Sequence, residues 1–178
     1  MSLTDLSDID LEETEDFATV SKILGSQGSV FGEELDAETA ESLLDALLRM
    51  TSTAPRAELG GEAWGPVAAC AAEFSPGEPQ VVEVALGILA KVSGSCQGKL
   101  DEAFVALLKR VMDENGDDEP TIQEQCCLVV KGLAEGNEGG GGMMLGQGIE
   151  AALDEALGKI QNERNKKYVA EAKAALGL

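Results

Sequence analysis

Leucines at positions 47, 89, 133 and 176 recur at intervals of 42, 44 and 43, and each closes a similar short string of residues. The strings are Leu43-Leu44-Asp45-Ala46-Leu47, Ala85-Leu86-Gly87-Ile88-Leu89, Val129-Val130-Lys131-Gly132-Leu133 and Ala172-Lys173-Ala174-Ala175-Leu176. A period of this size constrains the fold more than any other feature. It marks a supersecondary unit that cannot bury its apolar face alone and must stack on its neighbours.

Around these strings the apolar residues fall three and four apart, as in Leu43, Leu44, Leu47 and Leu48, which makes one face of a helix. The pattern predicts a helix from Asp36 onward and others over about 62–74, 79–93, 99–114, 121–136, 147–162 and 166–177. Pro79 and Pro120 each follow a glutamate and open a helix, where a missing N–H costs nothing. Asp36 and Thr39 are candidate caps. No stretch alternates with period two, so the chain is expected to be all-α. The interleaved helices repeat as well: Ala103, Phe104, Leu107, Leu108 and Val111 align without a gap with Ala152, Leu153, Ala156, Leu157 and Ile160 at an offset of 49. With 44% apolar but only 3% aromatic residues, Leu, Val, Ile and Ala must fill the core, and helices can approach closely.

The net charge of −20 repels a phosphate backbone and argues against nucleic acid as a partner. The first twenty residues hold seven acids and no base, which favours a basic protein partner. No apolar run approaches the roughly 20 residues that cross a bilayer, and the acidic start lacks a secretory pattern, so a cytoplasmic chain away from membranes is expected. Cys70, Cys96, Cys126 and Cys127 lack C-x-x-C spacing and read as reduced core residues. Residues 1–37 read as an acidic, largely flexible N-terminal tail that includes a glycine stretch from Gly25 to Gly32. Residues 38–178 read as the repeat domain.

The repeated strings resemble the armadillo-repeat family, whose units of about 42 residues carry a glycine before the second helix and an Ala-Leu-x-x-Leu-Ala string in the third. Gly98 and Gly148 match that glycine, and Ala85-Leu86-Gly87-Ile88-Leu89-Ala90 matches the string. The resemblance implies a short right-handed α-solenoid of armadillo-like repeats over residues 38–178. Armadillo proteins that grip extended peptides carry an asparagine one residue before the repeated leucine and a tryptophan four residues before that. Here the asparagine position holds Ala46, Ile88, Gly132 and Ala175, and the tryptophan position holds Ser42, Val84, Leu128 and Glu171. A peptide clamp of the nuclear-import kind is therefore not expected.

One rival chemistry is written in the sequence. Asp113, Asn115, Asp117 and Glu124 occupy positions 1, 3, 5 and 12 of an EF-hand-like calcium loop. Position 6 is Asp118 where the sharp turn requires glycine, and position 8 is Pro120, so an acidic connecting loop is preferred and no metal or other cofactor is expected. Gly139 to Gly142 lacks the Lys-Ser or Lys-Thr of a phosphate loop and reads as a turn. Without histidine, acid–base chemistry would fall to carboxylates or lysines, and none of these pair on an apolar face, so no enzyme is expected. Trp64 reads as a cap on the core.

What remains is a non-enzymatic protein–protein interaction or scaffold module, as an adaptor or as a structural subunit of a larger assembly. In families of this kind the third helices line the contact face, whose polar positions here are Lys91, Glu124, Lys131, Glu135, Lys167 and Glu171.

Overall fold

The structure, a computed structural model, describes residues 10, 14, 17–26, 35–51, 56–75, 77–96, 98–115 and 120–178. Among the described residues there are nine α-helices and no strand: α1 Phe17–Gly25, α2 Ala37–Met50, α3 Arg56–Phe74, α4 Pro79–Val92, α5 Glu102–Glu114, α6 Pro120–Gly136, α7 Gly140–Gly146, α8 Ile149–Lys159 and α9 Glu163–Leu176. A single 3-10 turn, Ser93–Ser95, follows α4.

The helix starts follow from the residues placed there. Asp36 caps α2 by accepting from Thr39 N at 2.8 Å, and Asp101 caps α5 by accepting from Phe104 N at 2.8 Å, each satisfying an otherwise orphaned donor. Thr39 is thus the donor inside the first turn of α2 and not its cap. Pro79 and Pro120 are the first residues of α4 and α6. Gly98 and Gly148 both take left-handed backbone, at φ 72° and 76°, which glycine adopts without a Cβ clash.

The helices pack in two rows. α2, α4, α6 and α9 lie side by side in that order, and α1, α3, α5 and α8 form the second row. Adjoining pairs (α1 with α2, α3 with α4, α5 with α6, α8 with α9) bind one row to the other around a continuous apolar core. Long-range hydrogen bonds echo the sequence period: Ser75 with Glu114, Gly98 with Asn137, Arg110 with Ala72 and Lys131 with Glu171 join residues 38 to 40 positions apart.

The buried faces keep that period almost position for position. The buried set of α2, Ala40, Leu43, Leu44, Ala46, Leu47 and Met50, recurs 42 positions on as Val82, Ala85, Leu86, Ile88, Leu89 and Val92. A further 41 positions give Gln123, Cys126, Cys127, Val129, Val130 and Leu133, all buried in α6. The leucine spacing is corrected here by one helical turn, since Val130 occupies the place of Leu89 and Leu133 that of Val92. Two buried positions one turn apart accept the same large apolar side chain, so spacing alone fits either register. The ungapped alignment of α5 with α8 shifts by a single residue. Phe104, Val105, Leu108 and Met112 correspond to Ala152, Leu153, Ala156 and Ile160 at an offset of 48, and Leu157 is 38% exposed.

Three elements differ from the expectations. Helix α1 lies inside the segment read as tail, yet Val20, Ile23 and Leu24 are buried and it packs on α2 and α3. Nine residues are too few to hold a helix alone, so this packing sustains it. Apart from Asp10, the acidic residues before Phe17 lie outside the described residues, as does the glycine stretch beyond Ser26. The glycine run read as a turn instead begins α7. A Cβ at Gly140 would stand 3.0 Å from Leu133 O and 3.1 Å from Leu100 Cδ2, so close packing selects glycine there. Helix α3 begins six residues earlier than expected and carries Pro66 inside it, facing Gly25 of α1, where a Cβ would lie 3.0 Å from Pro66 Cγ. Trp64 is 4% exposed and packs against Phe104 of α5 with ring centroids 4.6 Å apart and the ring planes tilted by 43°, which makes it a core residue.

Candidate functional site

α4 and α6 run in the same direction. Glu83, early in α4, acts electrostatically on Glu124, early in α6, while the turn after α4 presses on the second half of α6. That pressing is close: a Cβ on Gly132 would fall 1.8 Å from Ser93 Oγ, and one on Gly136 would fall 2.6 Å from Gly94 O. The pair Gly132 and Gly136, one turn apart on α6, is therefore a seat for the Ser93–Ser95 turn.

Between the outward faces of α4 and α6 lies an open groove of about 760 Å³. Val84, Gly87 and Ala90 from α4, Leu128 and Gly132 from α6, and Leu48 from α2 give it an apolar floor. Glu83, Lys91, Gln125, Lys131 and Glu135 stand along its edges. Val84, Gly87, Ala90 and Lys91 correspond to Gln125, Leu128, Lys131 and Gly132 at the 41-position offset of the buried faces, so consecutive helices contribute equivalent positions. Nothing lies within 4 Å of a Cβ built on Gly87, which leaves the middle of the groove open.

Of the six residues expected on a contact face, Lys91, Lys131 and Glu135 line this groove. The other three sit beside it. Glu171 on α9 receives a 2.9 Å hydrogen bond from Lys131 Nζ, which holds the Lys131 ammonium above and the Glu171 carboxyl below their ordinary ranges. Both side chains are partly exposed, at 33% and 43%, so the pair adds little stability. Glu124 accepts from Asn165 Nδ2 of α9. Partial burial pushes its carboxyl up, the Asn165 bond opposes that, Glu83 adds to it and Lys167 works against it. Lys167 Nζ lies 4.7 Å from the centroid of the Tyr168 ring. The six thus form one surface across α4, α6 and α9.

The floor residues were not singled out from sequence. The armadillo pattern pairs Val84 with Leu128 and Ile88 with Gly132, whereas in the observed register Leu128 matches Gly87 and Gly132 matches Lys91, so the pattern does not mark the floor.

Two of the candidate calcium ligands, Asn115 and Glu124, are engaged by other partners. Asn115 is buried, and its Nδ2 donates to Ser75 Oγ at 3.2 Å and to Val111 O at 2.9 Å. Asp113 is exposed near the end of α5, Glu124 turns to α9, and Asp117 lies outside the described residues. No group of three or more His, Cys, Asp or Glu placed to hold a metal occurs among the described residues. No described helix is long and apolar enough to cross a membrane. All four cysteines are buried thiols, none of them in a disulfide, and burial pushes Cys70 and Cys127 up to about 12 and Cys96 to about 11.

Comparison with protein-family models, with curated proteins and with solved structures gives no match.

Proposed function

We propose that this chain is a non-enzymatic, cytoplasmic protein-interaction module, a short right-handed α-solenoid of armadillo-like repeats that holds a protein partner on the face shared by α4, α6 and α9. The observation that carries this reading is the recurrence of one buried face through α2, α4 and α6, at 42 and then 41 positions. Helices that bury the same face against their neighbours also turn the same face outward, and in stacked repeats that shared outer surface is where partners bind. The groove supports it further, because an apolar floor with charged edges has the composition of a contact surface. The test is affinity capture from an extract of the source cells, followed by mass spectrometry. A triple variant, Lys91→Glu, Lys131→Glu and Lys167→Glu, is expected to lose the captured partner while melting like the parent chain. Capture that is unchanged in the folded variant would remove this face from consideration.

A further inference from the structure

Resting on that reading, we propose that the groove between α4 and α6 takes an amphipathic α-helix of the partner protein, apolar side inward, with a basic residue over Glu83 and an acidic one over Lys91. The floor decides the form of the occupant. Val84, Gly87, Ala90, Leu128 and Gly132 offer no side-chain amide, and Gln125 alone supplies one at the edge. An extended strand laid on such a floor would leave its own N–H and C=O groups without partners, at about 1–3 kcal/mol for each one buried. A helix satisfies its backbone internally and presents only side chains. An open centre at Gly87 fits a large apolar anchor of that kind.

Charge decides the ends. Glu83 stands at the end where Glu124 lies close by; Asn165 and Lys167 already act on Glu124, which leaves Glu83 to favour a cation from the partner. Lys91 stands at the other end of the α4 face, whereas Lys131 is engaged by Glu171 and Glu135 acts on that same lysine. The chain as a whole, at a net charge of −20, attracts a partner that is basic overall.

The test uses the full chain and three labelled probe peptides of about 14 residues, roughly 20 Å when helical. The first has leucines at i, i+3, i+4 and i+7, lysines at one end and glutamates at the other. The second has the same composition with the stripe scrambled, and the third has two central prolines that forbid a helix. Fluorescence anisotropy should show saturable binding of the first probe only. Gly87→Leu projects into the groove from a position whose Cβ meets nothing within 4 Å, so it should weaken that binding about tenfold or more while melting and circular dichroism stay close to those of the parent. Glu83→Lys should weaken it too, and a probe with glutamates at both ends should bind this variant better than it binds the parent. Equal binding of the proline probe, indifference to Gly87→Leu, or no saturation below about 1 mM would overturn the proposal. Partner capture by the Lys91, Lys131 and Lys167 charge variant reads the interaction role separately. Loss of capture there, combined with probe binding indifferent to Gly87→Leu, sinks the helical groove and leaves the interaction module standing.

Discussion

The two rows of helices are held together by different means. In the row α2, α4, α6 and α9 each helix lies along its neighbour, and α6 carries Gly132 and Gly136 where the turn after α4 presses in. In the row α1, α3, α5 and α8 the later helices touch more sparingly, and long polar side chains reach across the gaps. Arg110 of α5 donates to Ala72 O of α3 at 2.8 Å, Lys109 of α5 donates to Gln147 O ahead of α8 at 2.7 Å, and Lys159 of α8 donates back to Met112 O at 3.1 Å. In the first row polar ties join α6 to α9, and between α4 and α6 its spacing is set by apolar surface and glycine, while the second row relies on tethers. The spacing of the first should therefore be unforgiving of added volume, and that of the second tolerant of lost bonds.

Leu133, fully buried in α6, gives the largest expected effect. Leu133→Asp places an unpaired carboxylate in the core and should abolish the cooperative melt followed by circular dichroism, while Leu133→Ala should cost about 2–5 kcal/mol. Next comes Gly132→Ala, expected to cost about 1–3 kcal/mol in urea denaturation because its new methyl meets Ser93. Adding Ser93→Gly should recover most of that loss. Gly87→Ala, with open space around it, should instead stabilise by about 0.5–1 kcal/mol, so equal behaviour of the two glycines would break the comparison.

The polar ties should yield as much as the glycine clash at most. Gln123, buried in α6, donates to Met112 O at 2.8 Å and to Asn115 O at 2.5 Å, so it closes the end of α5. Gln123→Leu strips both carbonyls of that partner and should cost about 1–3 kcal/mol, whereas Arg110→Ala, at an exposed tether, should cost under about 1 kcal/mol. The smallest effect is a pH dependence at Glu124. Its folded carboxyl titrates above the ordinary 4.5, so its ionisation favours the unfolded chain and stability falls as pH rises through that folded value. Glu124→Gln should remove this component, seen as a melting temperature that changes less across that window and is equal or higher at neutral pH.

Much of this was legible in the chain. Period-3.6 patterning located α2, α4, α5, α6, α8 and α9, and the prolines at 79 and 120 fixed two starts to the residue. Of the six charges expected on a contact face, Lys91, Lys131 and Glu135 line the groove, and Glu124, Lys167 and Glu171 lie on α6 and α9 beside it. The register between α4 and α6 was not legible, since Val130 and Leu133 are equally good tenants of a site opposite Leu89. Nor was α1, whose two turns look like tail until α2 and α3 supply the surface they bury against. The groove floor was hidden for a different reason. Glycine and alanine make a cavity through what they lack, and only the placement of neighbouring helices shows whether that space is filled.

Helix α7 carries a consequence for how the molecule breathes. Four of its seven residues are glycine, each giving up more freedom on ordering than any other residue type. Its amides should therefore exchange with solvent hydrogen well before those of α4 or α6, through local opening that leaves the remaining stack intact. Such opening would uncover Met144 and the Leu133 carbonyl beneath it, making this short segment the natural entry point for a protease.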